Sequence, residues 1–146
     1  MQYKLILDPT AEETVLVTAH APSPLTDQIE TLVREYAGGG FLMGVREDEM
    51  RKLVFEEIEC ITVVNRKVIA IDTDGRHYRI QRRLYELETQ LPSRFVRINK
   101  STIANEGRIL RFETAFSGGV DAVFRCGYRD YVSRRCFAEM KRRYGI

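Results

Sequence analysis

Two short runs of β-branched residues joined by a polar tip constrain the fold of this chain more than any other feature. The runs occupy residues 61–64 and 68–71, and Asn65-Arg66-Lys67 separates them. β-Branched residues favour strands, whereas Asn, Asp and Gly favour tight turns. The pattern therefore predicts a β-hairpin with a cationic tip, followed by a turn at Asp74-Gly75 and a third strand at residues 78–80.

The residues after this hairpin predict a β-rich domain with short helices. A short amphipathic helix is expected from Leu84 to Leu91, where a proline follows it. Further strands are predicted at residues 108–112 and 121–126, and Ser133 is a candidate N-cap for a terminal helix. The predicted fold class is therefore mainly β, of the α+β type.

The stretch Arg94–Asn105 combines alternating apolar residues with a polar cluster. Apolar residues at period two predict a strand with one buried face. The opposite face would present Arg97, Asn99 and Ser101, with Lys100 near the strand end. Such cations and small hydrogen-bonding side chains suit phosphates and base edges better than covalent chemistry, and a solvated strand edge is the alternative.

Residues 1–44 predict a small β-β-α extension that precedes the main domain, residues 45–146. Strands are predicted at residues 3–7 and 14–19, before a helix that Thr26 can cap. The apolar residues of this helix follow a helical spacing and are Ile29, Leu32, Val33 and Tyr36. Three glycines at residues 38–40 would end it, and no Gly-Lys-Ser/Thr follows them, which excludes a phosphate-binding loop.

The composition is that of a soluble globular protein, with 44% hydrophobic and 30% charged residues. The sequence has no run of about 18 apolar residues, and its first residues lack the features of a signal peptide. Its three cysteines, Cys60, Cys126 and Cys136, show no CxxC spacing. They fit reduced intracellular thiols better than disulfides or a zinc site, so we expect a cytoplasmic protein.

Residues that could support catalysis lie outside recognisable motifs. His20 and His77 are the only histidines, and neither has neighbours that complete a metal site or a catalytic triad. Of the clustered acids Glu56, Glu57 and Glu59, only Glu59 is expected to be partly buried. Arginines near Cys126 and Cys136 could lower a thiol pKa, although buried structural thiols are the favoured interpretation. We therefore expect no enzymatic activity, no metal and no cofactor.

Charge is distributed unevenly along the chain, although the net charge is only +2. Residues 1–75 hold 7 basic and 14 acidic residues, whereas residues 76–146 hold 16 basic and 7 acidic residues. This asymmetry indicates a polyanionic partner for the second half, unless the two halves simply attract each other. Nucleic acid is favoured because 14 of those 16 cations are arginine, which suits phosphate and guanine recognition.

Three spaced segments carry a family resemblance. The longest runs from Leu84 to Ser101 and is followed by Ile103-Ala-Asn105. The others are Val132-Ser-Arg-Arg135 and the hairpin that begins at Ile58-Glu59 and ends at Arg66-Lys67. Together these segments make residues 45–146 similar to the LytTR family of bacterial DNA-binding transcription regulators.

The resemblance implies an elongated fold of small β-sheets with minor helices, which binds DNA through loops at strand ends without inserting a recognition helix. The implied base-contacting residues are Arg66 or Lys67, Lys100, and Arg134 with help from Arg135. Asn99 and Ser101 would support these contacts or touch phosphate. Lys100 stands where other family members carry arginine or asparagine, so their base preference is not carried over.

Residues 1–44 are too few for a receiver domain, so the chain resembles the stand-alone class of the family. In that class a small membrane protein often restrains the regulator, and the acidic, partly apolar extension is a candidate for that contact or for dimerisation. We expect a homodimeric transcription regulator that reads paired DNA sites. The alternative is a non-enzymatic module that docks its basic half on an acidic protein. RNA binding is a weaker variant, because an aromatic stacking motif of the RRM kind is absent.

Overall fold

The computed structural model describes residues 2–11, 14–37 and 40–146, with side chains described everywhere except at residues 34–37. Within these residues the helices are α1 (Pro24–Ala37), α2 (Leu84–Gln90) and α3 (Arg134–Tyr144). The strands are β1 (Phe41–Arg46), β2 (Glu49–Val54), β3 (Ile58–Val64), β4 (Lys67–Asp72), β5 (His77–Arg79), β6 (Phe95–Asn99), β7 (Thr102–Asn105), β8 (Ile109–Thr114), β9 (Val120–Phe124) and β10 (Arg129–Val132).

The described strands form two antiparallel sheets. A seven-stranded sheet has the order β2-β1-β5-β4-β3-β7-β6, and a three-stranded sheet has the order β10-β9-β8. Most neighbours in each sheet are also close in sequence, so hairpins build most of the architecture. The expected β-rich α+β fold with short helices is confirmed.

The β3–β4 hairpin forms where the sequence predicts it. Val64 pairs with Lys67 across a two-residue turn, Asn65-Arg66, in which both residues have positive φ, 51° and 65°. Positive φ at both central positions defines the type I′ turn, whose twist matches that of the flanking strands. Lys67 is therefore the first residue of β4, immediately after the tip.

The large sheet buries both of its faces in its central part. On one face, Leu84 and Leu87 of α2 pack in a core that includes Tyr78 of β5. On the other face, the small sheet and α3 contribute Phe124 and Met140 to a second core. Because strand residues alternate between faces, neighbouring positions along β3 and β4 supply both cores.

Strand β1 lies very close to its sheet neighbour β5, and this explains why residue 44 is a glycine. A Cβ atom at Gly44 would lie 2.7 Å from Cδ1 of Leu53 and 2.7 Å from Cβ of Tyr78. Both neighbours are buried, so a side chain at this position has no space. After Gly44, only Glu47 and Asp48 form the turn that separates β1 from β2.

The stretch Arg94–Asn105 forms two strands, β6 and β7, and not the single strand predicted. The chain reverses at Lys100-Ser101, because the Asn99 side chain accepts a hydrogen bond from the Ser101 backbone N–H (2.8 Å). This local bond is the Asx-type interaction that favours turns. The expectation that Asn99 faces outward is wrong, since only 3% of it is exposed.

The extension contains a helix but not the two strands predicted before it. Residues 3–7 and 14–19 are irregular and exposed in the structure. A strand requires a partner for its backbone groups, and no described strand pairs with these segments. Helix α1 is capped by Ser23, whose hydroxyl accepts from the Thr26 backbone N–H (3.3 Å). Residues 38 and 39 of the glycine run predicted to end this helix lie outside the described residues.

Candidate nucleic-acid interface

The tip of the β3–β4 hairpin presents two cations to solvent. Arg66 and Lys67 are both exposed, and the type I′ turn holds Arg66 at a φ of 65°. A non-glycine residue in this region is uncommon and, for most side chains, carries conformational strain. Positions of this kind are often retained for function, so the tip is a candidate contact loop.

The β6–β7 turn presents Lys100. Its side chain is exposed, while its carbonyl accepts a hydrogen bond from Nη1 of Arg97 (2.6 Å). Arg97 also forms an ion pair through Nε with Glu88 of α2, so the helix stabilises the turn. Asn99 holds the other side of the turn, because its Nδ2 donates to the carbonyl of Tyr131 (2.8 Å). Lys100 therefore extends from a turn fixed on two sides.

The first turn of α3 presents Arg134 and Arg135, which are both exposed. The predicted cap is confirmed, since the Ser133 hydroxyl accepts from the Cys136 backbone N–H (3.2 Å). Cations are unfavourable at a helix N-terminus, where the helix dipole and free N–H groups favour an anion. The two arginines and this helix end therefore form a site suited to a phosphate or another anion.

Backbone hydrogen bonds bring these three segments to one end of the large sheet. The Val63 N–H donates to the carbonyl of Ser101 (3.1 Å), which places the β6–β7 turn beside the end of β3. The Ser133 N–H donates to the carbonyl of Ile98 (2.7 Å), which places the start of α3 beside β6. We call the β3–β4 tip (Arg66, Lys67), the β6–β7 turn (Asn99, Lys100, Ser101) and the α3 start (Arg134, Arg135) the three cationic loops.

A buried polar network fixes the two sheets against each other beneath these loops. The hydroxyls of Thr62 and Thr102 lie 2.8 Å apart, and the Thr102 hydroxyl also lies 2.6 Å from Oδ2 of Asp130. Burial raises the pKa of the nearby Tyr128 phenol to about 12. The network joins β3 and β7 to β10, and so holds the α3 start in position relative to the β6–β7 turn.

Charge pairing distinguishes the loop cations from many others. Nine arginines have a carboxylate within 4.0 Å: Arg51, Arg76, Arg94, Arg97, Arg108, Arg111, Arg129, Arg142 and Arg143. Across residues 2–11, 14–37 and 40–146, the five cations of the three loops have no such partner. These loops therefore present uncompensated positive charge, which favours a polyanion.

Glu59 is more important to the structure than the sequence indicated. It is fully buried, and its carboxylate accepts two hydrogen bonds from Arg108, at 2.9 and 3.2 Å. Its Oε1 also accepts from the Cys126 backbone N–H (2.9 Å). Through Arg108 and the Cys126 N–H, buried Glu59 therefore joins β3 to the segments before β8 and after β9.

Burial raises the thiol pKa of two of the three cysteines, and the described residues form no metal-binding cluster. Cys60 is buried in the core, as expected, and burial raises the pKa of its thiol. Burial also raises the pKa of Cys126, which lowers its thiolate fraction and its reactivity. Among the described residues, no group of three or more His, Cys, Asp or Glu side chains could hold a metal ion. None of the described helices is long and apolar enough to cross a membrane.

Comparisons of the sequence and of the fold with known proteins indicate the same family. The LytTr DNA-binding domain model matches residues 48–145. The chain is 31% identical over 98% of its length to uncharacterized HTH-type transcriptional regulators of Staphylococcus aureus strains MSSA476 and NCTC 8325, covering 99% of each. The fold also matches the solved LytTr DNA-binding domain of a Bacillus cereus protein described as a methyl-accepting/DNA response regulator, with a TM-score of 0.65 and 18% identity. That match covers 73% of this chain and 98% of the other.

The relatives' names say HTH-type, yet the described part of this chain has no two consecutive helices joined by a short turn. The five cations of the three cationic loops instead lie at strand ends and at the start of α3. Binding through loops was the expectation from the sequence, and it stays a prediction. The family model covers more than half of the chain, and the fold matches a solved member. The chain therefore belongs to the LytTR family of DNA-binding domains.

Proposed function

We propose that this protein is a sequence-specific transcription regulator that reads paired sites on double-stranded DNA through the three cationic loops. The observation that carries the proposal is their convergence: hydrogen bonds place all three at one end of the large sheet, and their five cations have no ion-pair partner among the described residues. Loops that project from a rigid scaffold can enter neighbouring grooves of a duplex, where cations meet phosphates and base edges.

Each residue of the loops has a proposed role that follows from its exposure. Arg66 or Lys67, Lys100 and Arg134 are exposed long cations at loop tips, so we assign them to base edges, with Arg135 assisting. Ser101 is half-buried beside Lys100 and is assigned to a phosphate. Asn99 is buried, and both ends of its amide are bonded within the protein. We therefore assign Asn99 to support of the turn, without direct DNA contact.

Substitution of Arg66 by glycine is expected to change stability and DNA binding in opposite directions. Asn-Gly is the favoured pair for a type I′ turn, and glycine relieves about 1–2 kcal/mol of left-handed strain at the cost of about 0.4–1 kcal/mol of unfolded-chain entropy. The Arg66→Gly variant should therefore unfold at a higher urea concentration. Loss of the cation should weaken DNA binding by about 1 kcal/mol or more. Urea titration and a binding titration on the same preparation measure both. Weaker DNA binding together with lower stability would point to damage of the hairpin and against a contact role.

The second function class is a non-enzymatic module that docks its basic end on an acidic protein, and the same unpaired charge favours it. A gel-shift titration of the purified protein against genomic fragments separates the two classes. Selective retention of a few promoter fragments, with a steep loss of affinity as salt rises, is expected for a regulator. Uniform, salt-labile retention or no retention would contradict sequence-specific DNA binding and favour the protein-docking class.

The reading of paired sites requires two copies, and we propose that the extension joins them as a homodimer. Residues 2–11 and 14–33 expose many large apolar side chains, and Leu32 of α1 is 68% exposed. Leu25, Ile29 and Leu32 follow the spacing of a helix-pairing stripe, and none of them belongs to either core. Exposed apolar patches of this kind mark interaction sites. The protein would act as this dimer in the cytoplasm.

Substitution of Leu32 by glutamate is expected to convert the dimer into a monomer, because a charge would be buried in an apolar helix pair. Leu32→Met, which keeps the apolar contact, is the control and should remain dimeric. Light scattering coupled to size-exclusion chromatography gives the molecular mass of each variant. A Leu32→Glu protein that stays dimeric would contradict this interface. If the wild-type protein is a monomer, this favours the alternative partner of the extension, a small membrane-protein regulator.

A further inference from the structure

Three arginines outside the three cationic loops form a second basic surface. Arg79 ends β5, and Arg82 and Arg83 lead from it into α2. All three are exposed. In the part of the chain that the structure describes, no ion pair joins any of them to a carboxylate. Three positive charges within five residues of sequence therefore lack a carboxylate at ion-pair distance among the described residues.

This surface adjoins the β3–β4 tip. Arg79 lies directly opposite Ile69 in the β4–β5 pairing, and the Ile80 N–H donates to the carbonyl of Val68 (2.9 Å). The end of β5 therefore lies beside the start of β4, where Lys67 follows the tip. Lys67 and Arg79 point to the same face of the sheet as diagonal neighbours, about 7–8 Å apart in backbone position. The arginines thus continue the positive charge of the tip along one side of the sheet.

The fold gives these arginines no evident structural task. Arg83 precedes the first turn of α2, where a cation is unfavourable for the helix dipole. The nearby Glu86 carboxylate is bonded to the backbone N–H of Arg83 (3.3 Å), which helps to cap the helix. The aspartates of the β4–β5 turn lie at the opposite end of β5, where Asp74 pairs with Arg76 (3.5 Å). The three guanidinium groups are therefore available to a partner outside the chain.

We propose that Arg79, Arg82 and Arg83 bind the phosphate backbone of the duplex beside the groove that the β3–β4 tip enters. This inference rests on the proposed DNA-binding function and adds a contact surface to it. The arginines lie behind the projecting tip, at a strand end and a helix start, so they meet the backbone that flanks the groove. A guanidinium binds phosphate oxygens through two parallel hydrogen bonds. Such contacts position the protein without reading sequence.

The test is the salt dependence of DNA binding by an Arg79→Gln, Arg82→Gln, Arg83→Gln triple variant. Each lost phosphate contact reduces the slope of log affinity against log salt by about 0.9, so the slope should fall by up to about 2.7 for each DNA-bound copy. Affinity for the retained promoter fragment and for a scrambled duplex should fall by the same factor. The ratio of the two affinities should therefore stay constant.

The matched control is Arg125→Gln. Arg125 is also exposed and has no ion pair among the described residues, but it lies in the β9–β10 turn. Val120 pairs with Val132 and Val123 with Arg129, so that turn is at the opposite end of the small sheet from the α3 start. Its removal should leave the salt slope unchanged. If the triple variant fails to fold, as judged by thermal unfolding, the single variant Arg82→Gln replaces it, with an expected slope change of about 0.9.

The outcomes separate this inference from the proposed function. An unchanged slope in the triple variant, with wild-type protein binding its fragment selectively, overturns the inference alone. A change in the ratio of the two affinities would indicate that the arginines contact bases, and would also overturn the inference. A wild-type protein without any fragment preference overturns the proposed function itself. A reduced slope with a constant affinity ratio supports both.

Discussion

Replacement of Lys100 by alanine is expected to weaken binding to the specific DNA site by about 1–3 kcal/mol for each half-site and to relax the preference at one base pair. Lys100 extends into solvent from a turn that Arg97 and Asn99 hold through backbone groups, and alanine keeps both of those bonds. The free energy of unfolding should therefore change by less than about 0.5 kcal/mol. Titrations against the site and against its single-base variants measure the two expected effects.

The control for Lys100→Ala is Lys52→Ala. Lys52 is also exposed, but it lies on β2, at the edge of the large sheet farthest from β7 and β6. Its loss should leave the base preference unchanged. Arg134→Ala tests the α3 start in the same assay. If Lys100→Ala and Arg134→Ala both bind the site with wild-type affinity and preference, the assignment of the three cationic loops is wrong.

Replacement of Glu59 by alanine is expected to destabilise the fold by about 3 kcal/mol, which is a large part of the stability of a domain this size. The carboxylate is fully buried, and its loss leaves the Arg108 guanidinium and the Cys126 N–H without their acceptor. This value lies at the lower end of the destabilisation expected on breaking a buried ion pair, because the Arg108 side chain is 30% exposed and water can reach it. Urea unfolding gives the free-energy change.

Glu56→Ala is the matched control for this prediction. Glu56 pairs with Arg94 at 3.1 Å, but its side chain is 74% exposed, so its loss should cost less than about 1 kcal/mol. Glu59→Gln, which keeps one acceptor oxygen, serves if the alanine variant does not fold and should be intermediate. Equal effects of Glu56→Ala and Glu59→Ala would contradict the structural role of the buried pair. At temperatures where the variants are folded, their DNA affinity should match that of the wild type.

Local sequence signals predicted those parts of the fold that local interactions determine. The β3–β4 hairpin follows from β-branched runs and the tolerance of Asn65 for positive φ, and the α3 start follows from the capping hydroxyl of Ser133. The cations at these positions could therefore be named from the sequence. The LytTR resemblance added the prediction that these separate loops act together.

Features that depend on contacts between distant residues were not predictable in the same way. The Glu59–Arg108 pair joins residues 49 positions apart, and no local pattern identifies the partner. The reversal at Lys100-Ser101 depends on a buried Asn99 that is also bonded to Tyr131, on a strand that the sequence did not indicate. Residues 3–7 and 14–19 have the composition of strands, but the described chain offers them no pairing partner.

The central claim is that the three cationic loops of two copies read paired DNA sites, and genome-wide footprinting of the purified protein at moderate salt tests it most directly. We expect a small number of protected sites, each made of two similar half-sites at a fixed spacing. The Lys100→Ala, Arg134→Ala double variant should lose this protection. Uniform protection that disappears as salt rises, or discrete sites that the double variant protects as well as the wild type, would contradict the account.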